Sequence, residues 1–248
     1  MSLNDITISG QKKEAAFVVI HGDSGVGKTT LAASSPAPYF FDTERSSMEL
    51  DVDRCLPETF SDLVQYLTMF LEEEHSYKTA VIDTIDHAEK LALTAACNEF
   101  GVNAPSEVNY GKVWDVANAK MRKMILGLDT LNKNGINVII LAHSELVTYN
   151  SPMGESYDRF VISCRDKTSK LLKEVPKMIG YMHRKVLTTE NKEASGFQKK
   201  YKASMMRDSV LSFAPNAAYN SKNRFGLEED IIIPRNNGWA AIQAAIGG

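Results

Sequence analysis

Residues Gly22 to Thr29 read Gly-Asp-Ser-Gly-Val-Gly-Lys-Thr, a full match to G-x-x-x-x-G-K-[ST]. The chemistry this spacing serves is anion binding. Gly22, Gly25 and Gly27 let the backbone curl until its N–H groups converge on phosphate oxygens. A helix beginning near Gly27 adds its positive end. Lys28 is placed to reach the β- and γ-phosphates of a nucleotide, and the Thr29 hydroxyl to ligate Mg²⁺. The candidate nucleotide-binding residues are therefore Gly22, Asp23, Ser24, Gly25, Val26, Gly27, Lys28, Thr29 and Thr30. The implied cofactors are ATP and Mg²⁺. No guanine-reading N-K-x-D occurs, which favours ATP over GTP.

Other polar residues stand at the ends of apolar runs. Asp83 closes Thr79-Ala80-Val81-Ile82 and is the candidate second Mg²⁺ residue. An aspartate there could instead cap the helix that follows. Asp86 fits the first turn of that helix, where the dipole favours a carboxylate. Glu44 follows Tyr39-Phe40-Phe41 and is the candidate general base for an attacking water, with Asp42 and Glu49 as competitors. His143 follows Val138 to Ala142 and could donate a hydrogen bond to a γ-phosphate, or simply bond a backbone carbonyl. His21 reads as structural, and His75, His87 and His183 have no metal-ligand spacing.

These residues need a scaffold that gathers strand ends. Strands are expected at 16–21, 39–41, 79–83 and 137–142. Helices are expected at 27–35, 57–74, 85–100 and 113–131, where Phe60, Leu63, Val64, Leu67, Phe70 and Leu71 set the helical period of the second. Strands alternating with helices mean a parallel sheet covered on both faces, and ligands sit at the carboxyl ends of such strands. Beyond 145 the pattern changes. A hairpin tip at 151–155, a short helix at 167–175, two strands at 178–188 and 200–213, and a terminal helix at 239–246 describe an antiparallel extension. The division expected is an arm at 1–13, a parallel α/β core at 14–145, the extension at 146–235 and a tail at 236–248, all within one domain.

Composition excludes several classes. The chain has 248 residues, 44% of them hydrophobic, and a net charge of −3. That supports a packed core and no global pull on nucleic acid. Cys55, Cys97 and Cys164 are odd in number and widely spaced, against a disulfide or zinc framework. No apolar run has the ~18–20 residues of a membrane span, and no secretory leader is visible. Charge is nonetheless segregated. From Tyr181 to Phe225 nine bases stand against three acids, with Tyr181, Phe197, Tyr201, Phe213 and Tyr219 interleaved. Bases with aromatics suit single-stranded nucleic acid, and the segment 189–200 is the expected contact. The same alternation also describes strands with a wet face and a core face.

Phe40-Phe41-Asp42-Thr43-Glu44 resembles the segment of RecA-type recombinases that carries their catalytic glutamate, and Gly22–Thr29, Asp83 and Leu141-Ala142-His143 follow in the matching order. More particularly, the chain resembles phage-encoded RecA-like ATPases of the AAA-24 type, including Sak-type single-strand annealing proteins. That resemblance takes in Asn109 to Trp114 and Lys222-Asn223-Arg224-Phe225-Gly226, and covers most of residues 15–235. It implies a RecA-like P-loop NTPase fold, with a parallel sheet core flanked by helices and an antiparallel C-terminal extension. It implies an ATPase acting on single-stranded DNA as a ring or filament, in the cytoplasm of a phage-infected bacterium. Lys222 and Arg224 resemble the Lys-x-Arg finger that completes a neighbouring subunit's site in ring ATPases, although a solvated basic turn would look the same. RecA itself has Asn-Gln where this chain has His143-Ser144. Two other functions are compatible with the phosphate loop: a small-molecule kinase, and a nucleotide-gated assembly protein that does not hydrolyse.

Overall fold

The computed structural model describes residues 2–7, 14–152, 154–190 and 201–246. Its strands are β1 (Phe17–Gly22), β2 (Pro38–Asp42), β3 (Asp53–Cys55), β4 (Thr79–Asp83), β5 (Asn137–Tyr149), β6 (Tyr157–Ile162), β7 (Met178–Glu190), β8 (Tyr201–Ser212) and β9 (Ile231–Ile233). Its helices are α1 (Leu3–Ile6), α2 (Lys28–Ala33), α3 (Phe60–Glu72), α4 (Ile85–Phe100), α5 (Lys112–Lys133), α6 (Asp166–Glu174) and α7 (Gly238–Ala245). The strand order is β3-β2-β4-β5-β1-β7-β8-β9, with β6 paired to β5. Strands β3 to β7 along that order run parallel; β8 turns back on β7 and β9 on β8. Chain order reverses at β1, between β5 and β7, which is where open α/β sheets bind ligands.

The apolar runs are buried on both faces, as a covered parallel sheet requires. Alternate residues divide between two cores. Phe17, Val19, Phe41, Ile82, Val138 and Ile140 pack under α3, α4 and α5. Val18, Ile20, Phe40, Val81, Ile139 and Leu141 face α2 and α7, whose Trp239 is 2% exposed. Helix α3 starts on a capping box, in which Thr59 accepts from the amide of Asp62 (3.1 Å) and Asp62 accepts from that of Thr59 (2.9 Å). Among the described residues no helix is long and apolar enough to cross a membrane, and the three cysteines are free thiols.

One boundary differs in a way that matters. Strand β5 does not stop before His143. It runs on to Tyr149, leaves the parallel sheet and pairs antiparallel with β6, from Ser144↔Ile162 to Tyr149↔Tyr157. Its second half is mostly exposed, so no apolar run announces it. His143 therefore lies inside a strand, paired with Gly22, rather than on a loop.

Gly22 is needed for close approach, not for its dihedrals. A Cβ built there would lie 2.2 Å from the carbonyl oxygen of Met182 on the paired strand β7. Backbone cannot yield as a side chain can. Gly22→Ala is expected to cost at least roughly 1–3 kcal/mol, the range for overpacking. Urea denaturation of the nucleotide-free protein would read this as a lower midpoint, and an unchanged midpoint would contradict the packing assigned to β1 and β7.

Candidate functional site

The loop between β1 and α2 curls as its glycines allow, with Gly25 and Gly27 at φ of 72° and 105°. Lys28 is buried, and its Nζ donates to the carbonyls of Gly22 and Asp23, both at 2.9 Å. Burial lowers its pKa, opposed by the nearby carboxylates of Asp83, Glu44 and Asp86. The back of the loop is held by the C-terminal hairpin. Arg184 of β7 donates to the Gly25 carbonyl (3.2 Å), and Ser209 of β8 to that of Val26 (2.6 Å).

Opposite the loop, Asp83 ends β4, 1% exposed. Its Oδ2 accepts the hydroxyls of Thr29 (2.9 Å) and Ser46 (2.8 Å). Its Oδ1 is buried with no partner among the described residues. The carbonyl of Asp83 accepts the amides of Thr43 (2.7 Å) and Glu44 (3.3 Å), which ties the loop after β2 to the end of β4. Asp42 shapes the same loop from within, accepting from the amides of Glu44, Ser46 and Ser47 and from the Ser47 hydroxyl. With its carboxylate so engaged, Asp42 is no competitor for the base. Glu44 remains partly exposed, with its Oε2 accepting from Thr84 Oγ1 at 3.4 Å.

His143 lies beside Glu44, its Nε2 3.7 Å from Glu44 Oε1. Its Nδ1 is 3.0 Å from Asp86 Oδ2, and its backbone amide donates to Asp86 Oδ1 at 3.0 Å. Asp86 is thus more than a helix-dipole residue. With Nδ1 donating to Asp86, a neutral ring carries only a lone pair on Nε2, and donation to a γ-phosphate would need the doubly protonated ring. His21 is structural: Nε2 donates to the Asn220 carbonyl (2.7 Å), Nδ1 pairs with the Ser144 hydroxyl (2.8 Å), and burial pulls its pKa down to about 4.

Lys28, Thr29, Glu44, Asp83 and His143 are brought to one edge of the sheet. Lys222 and Arg224 are placed differently. Lys222 Nζ donates to the carbonyls of Lys173 (2.7 Å), Glu174 (2.9 Å) and Pro176 (2.7 Å), capping the C-terminal end of α6. Arg224 is exposed on a turn closed by Asn223 and Gly226. Trp114 is stacked by the Arg165 guanidinium at 3.5 Å, whereas Tyr110 is exposed. Lys192, Phe197, Lys199 and Lys200, within the segment expected to meet nucleic acid, lie outside the described residues. Ser46 and Ser209 belong to no motif, Asp86 was expected only as a first-turn helix carboxylate, and Arg184 only as one of the nine bases between Tyr181 and Phe225. A recess of about 500 Å³ among α3, α4 and α5, lined by Val64, Leu67, Leu71 and Leu128, is separate from this edge.

The family model AAA_24, an AAA domain, matches residues 14–225. The chain belongs to the AAA_24 family. It is therefore a P-loop protein of AAA type, with nucleotide binding implied by the family and a mostly parallel sheet that turns antiparallel near the C-terminus. The comparison with curated proteins returns no match. Among solved structures, the AAA_24 chain is similar to a KaiC-like protein from the hyperthermophilic archaeon Pyrococcus horikoshii OT3, at 12% identity and a TM-score of 0.42, covering 90% of this chain and 88% of that one.

Burial pushes the Asp83 carboxyl up from the usual 3.8 to about 6, against the hydrogen bonds from Ser46 and Thr29 and together with the charges of Asp42 and Glu44. The folded protein thus keeps a proton that the unfolded chain releases near pH 4, and stability is lost as pH rises from about 4 to about 6. Asp83→Asn, without metal or nucleotide, is expected to be more stable than wild type at pH 8 by on the order of 2–3 kcal/mol, with the difference closing toward pH 4. Denaturation at the two pH values tests this; a variant less stable at pH 8 would contradict the unpaired charge.

Proposed function

We propose that this chain is a Mg²⁺-dependent ATPase of RecA-like type that acts on single-stranded DNA as a ring or filament of identical subunits. The observation that carries the reading is the Thr29–Asp83 pair, a hydroxyl 2.9 Å from a carboxylate whose other oxygen is buried and unpartnered. That donor set suits one hard divalent cation at the phosphate loop. No cluster of three or more His, Cys, Asp or Glu fit to hold a metal occurs among the described residues, which is compatible with Mg²⁺ drawing its remaining ligands from nucleotide and water. Bound there, Mg²⁺ would neutralise charge on the β- and γ-phosphates.

Lys28 would exchange its two loop carbonyls for phosphate oxygens. Glu44 would take a proton from water as the water oxygen attacks the γ-phosphorus and the bond to the β-phosphate oxygen breaks, releasing ADP and phosphate. Arg224, exposed and on a pre-shaped turn, would reach a neighbour's γ-phosphate, with Lys222 holding the base of that turn against α6. The DNA role rests on the family resemblance and on the excess of bases between Tyr181 and Phe225. Its setting would be the cytoplasm of a phage-infected bacterium, in recombination, annealing or replication.

Phosphate release from Mg·ATP tests the reading, with and without single-stranded DNA, at two protein concentrations. The expected result is DNA stimulation and a rate per subunit that rises with concentration. Lys28→Ala is expected to abolish turnover, and Arg224→Ala to lower it by roughly 10³-fold, the low end of arginine-finger effects. Turnover indifferent to DNA, to concentration and to Arg224→Ala would contradict the DNA and assembly proposals.

A further inference from the structure

Asp86 uses both carboxylate oxygens on one residue. Oδ1 accepts the backbone amide of His143 and Oδ2 faces its Nδ1, each at 3.0 Å. Asp86 is buried in the first turn of α4, which fixes it rigidly. Burial raises its pKa, but the hydrogen bonds from His143, the His143 charge and a hydrogen bond from Thr84 together outweigh that and hold the carboxyl below its ordinary range. It is therefore an acceptor at neutral pH, and Nδ1 must carry the hydrogen. The lone pair of the neutral ring is then on Nε2, opposite Glu44 Oε1 at 3.7 Å. Two acceptors cannot bond each other. A molecule that donates twice satisfies both, and water is the smallest. The other oxygen of Glu44 lies 3.4 Å from the Thr84 hydroxyl.

We propose that Asp86 is a positioning residue: it sets the tautomer and orientation of His143, so that His143 Nε2 and Glu44 together hold the attacking water by its two O–H groups. This rests on the hydrolysis reading above. The water oxygen keeps its lone pairs for phosphorus, and Glu44 takes the proton as the bond to phosphorus forms. An aspartate that fixes a histidine's tautomer is a known device in acyl transfer, and here it would serve water placement.

The test is Asp86→Asn. Its single oxygen can keep the backbone amide, but its NH₂ then faces Nδ1 and drives the ring hydrogen to Nε2. Nitrogen-15 spectra of the histidine rings, with His143 assigned by its loss in His143→Gln, are expected to show Nδ1–H in wild type and Nε2–H in the variant. Turnover is expected to fall by roughly 10–100-fold, the range for outer-shell orienting groups, while Mg·ATP affinity stays within about twofold, as for a group that touches no part of the nucleotide. A wild-type ring with its hydrogen on Nε2, or with hydrogens on both nitrogens, would overturn the proposal, even if the variant failed to fold. So would a variant that turns over like wild type. A wild type with no turnover would sink the hydrolysis reading and the held water with it, while the spectrum would still decide whether Asp86 sets the ring.

Discussion

The carboxylate of Asp83 accepts hydroxyls from Thr29 and Ser46, while the carbonyl of the same residue accepts the amides of Thr43 and Glu44. Two other segments, the start of α2 and the loop after β2, are fastened to one buried residue at the end of β4. The constraint is electrostatic: a carboxylate placed where water cannot reach it must be met by donors, and the two donors present come from the first turn of α2 and from the loop after β2. One oxygen is still unmet. The position of Glu44 depends on this, because its amide is fixed to Asp83 before its side chain meets Thr84 and His143.

The rest of the sheet serves that edge. Close pairing of Gly22 with Met182 sets β7 hard against the phosphate loop, and Arg184 and Ser209 occupy its outward carbonyls. The strands that carry the basic segment are thus in direct contact with the phosphate loop through Arg184 and Ser209. A register shift between Arg184 and Val186 falls at that contact.

Local patterns were legible and distant pairings were not. Strands β1, β2 and β4 are apolar runs closed by polar residues, and Gly22 to Thr30 is contiguous, so both were readable from neighbours alone. Strands β3 and β9 have three residues each, and β6 contains Asp158 and Arg159, so none carries a usable period. Asp86 meets His143 across 57 positions and Arg184 meets Gly25 across 159. Nothing in either residue's own surroundings announces the partner. The contacts of Lys222 were hidden for the same reason, since the carbonyls of Lys173, Glu174 and Pro176 that it meets lie about 50 residues earlier, at and just past the end of α6. The AAA_24 match reaches from 14 to 225 and so spans the whole phosphate edge, but the part played by each side chain comes from the geometry.

The account stands on Asp83 and Thr29 forming the cation end of a nucleotide site. Calorimetric titration of ATP into wild type and Asp83→Asn, with and without Mg²⁺, tests that most directly. Wild type should bind ATP about tenfold or more tightly when Mg²⁺ is present, a difference of about 1.4 kcal/mol. The variant should bind ATP without Mg²⁺ as well as wild type does, and should gain nothing when the metal is added. A variant that keeps the full Mg²⁺ dependence would contradict the assignment of this edge.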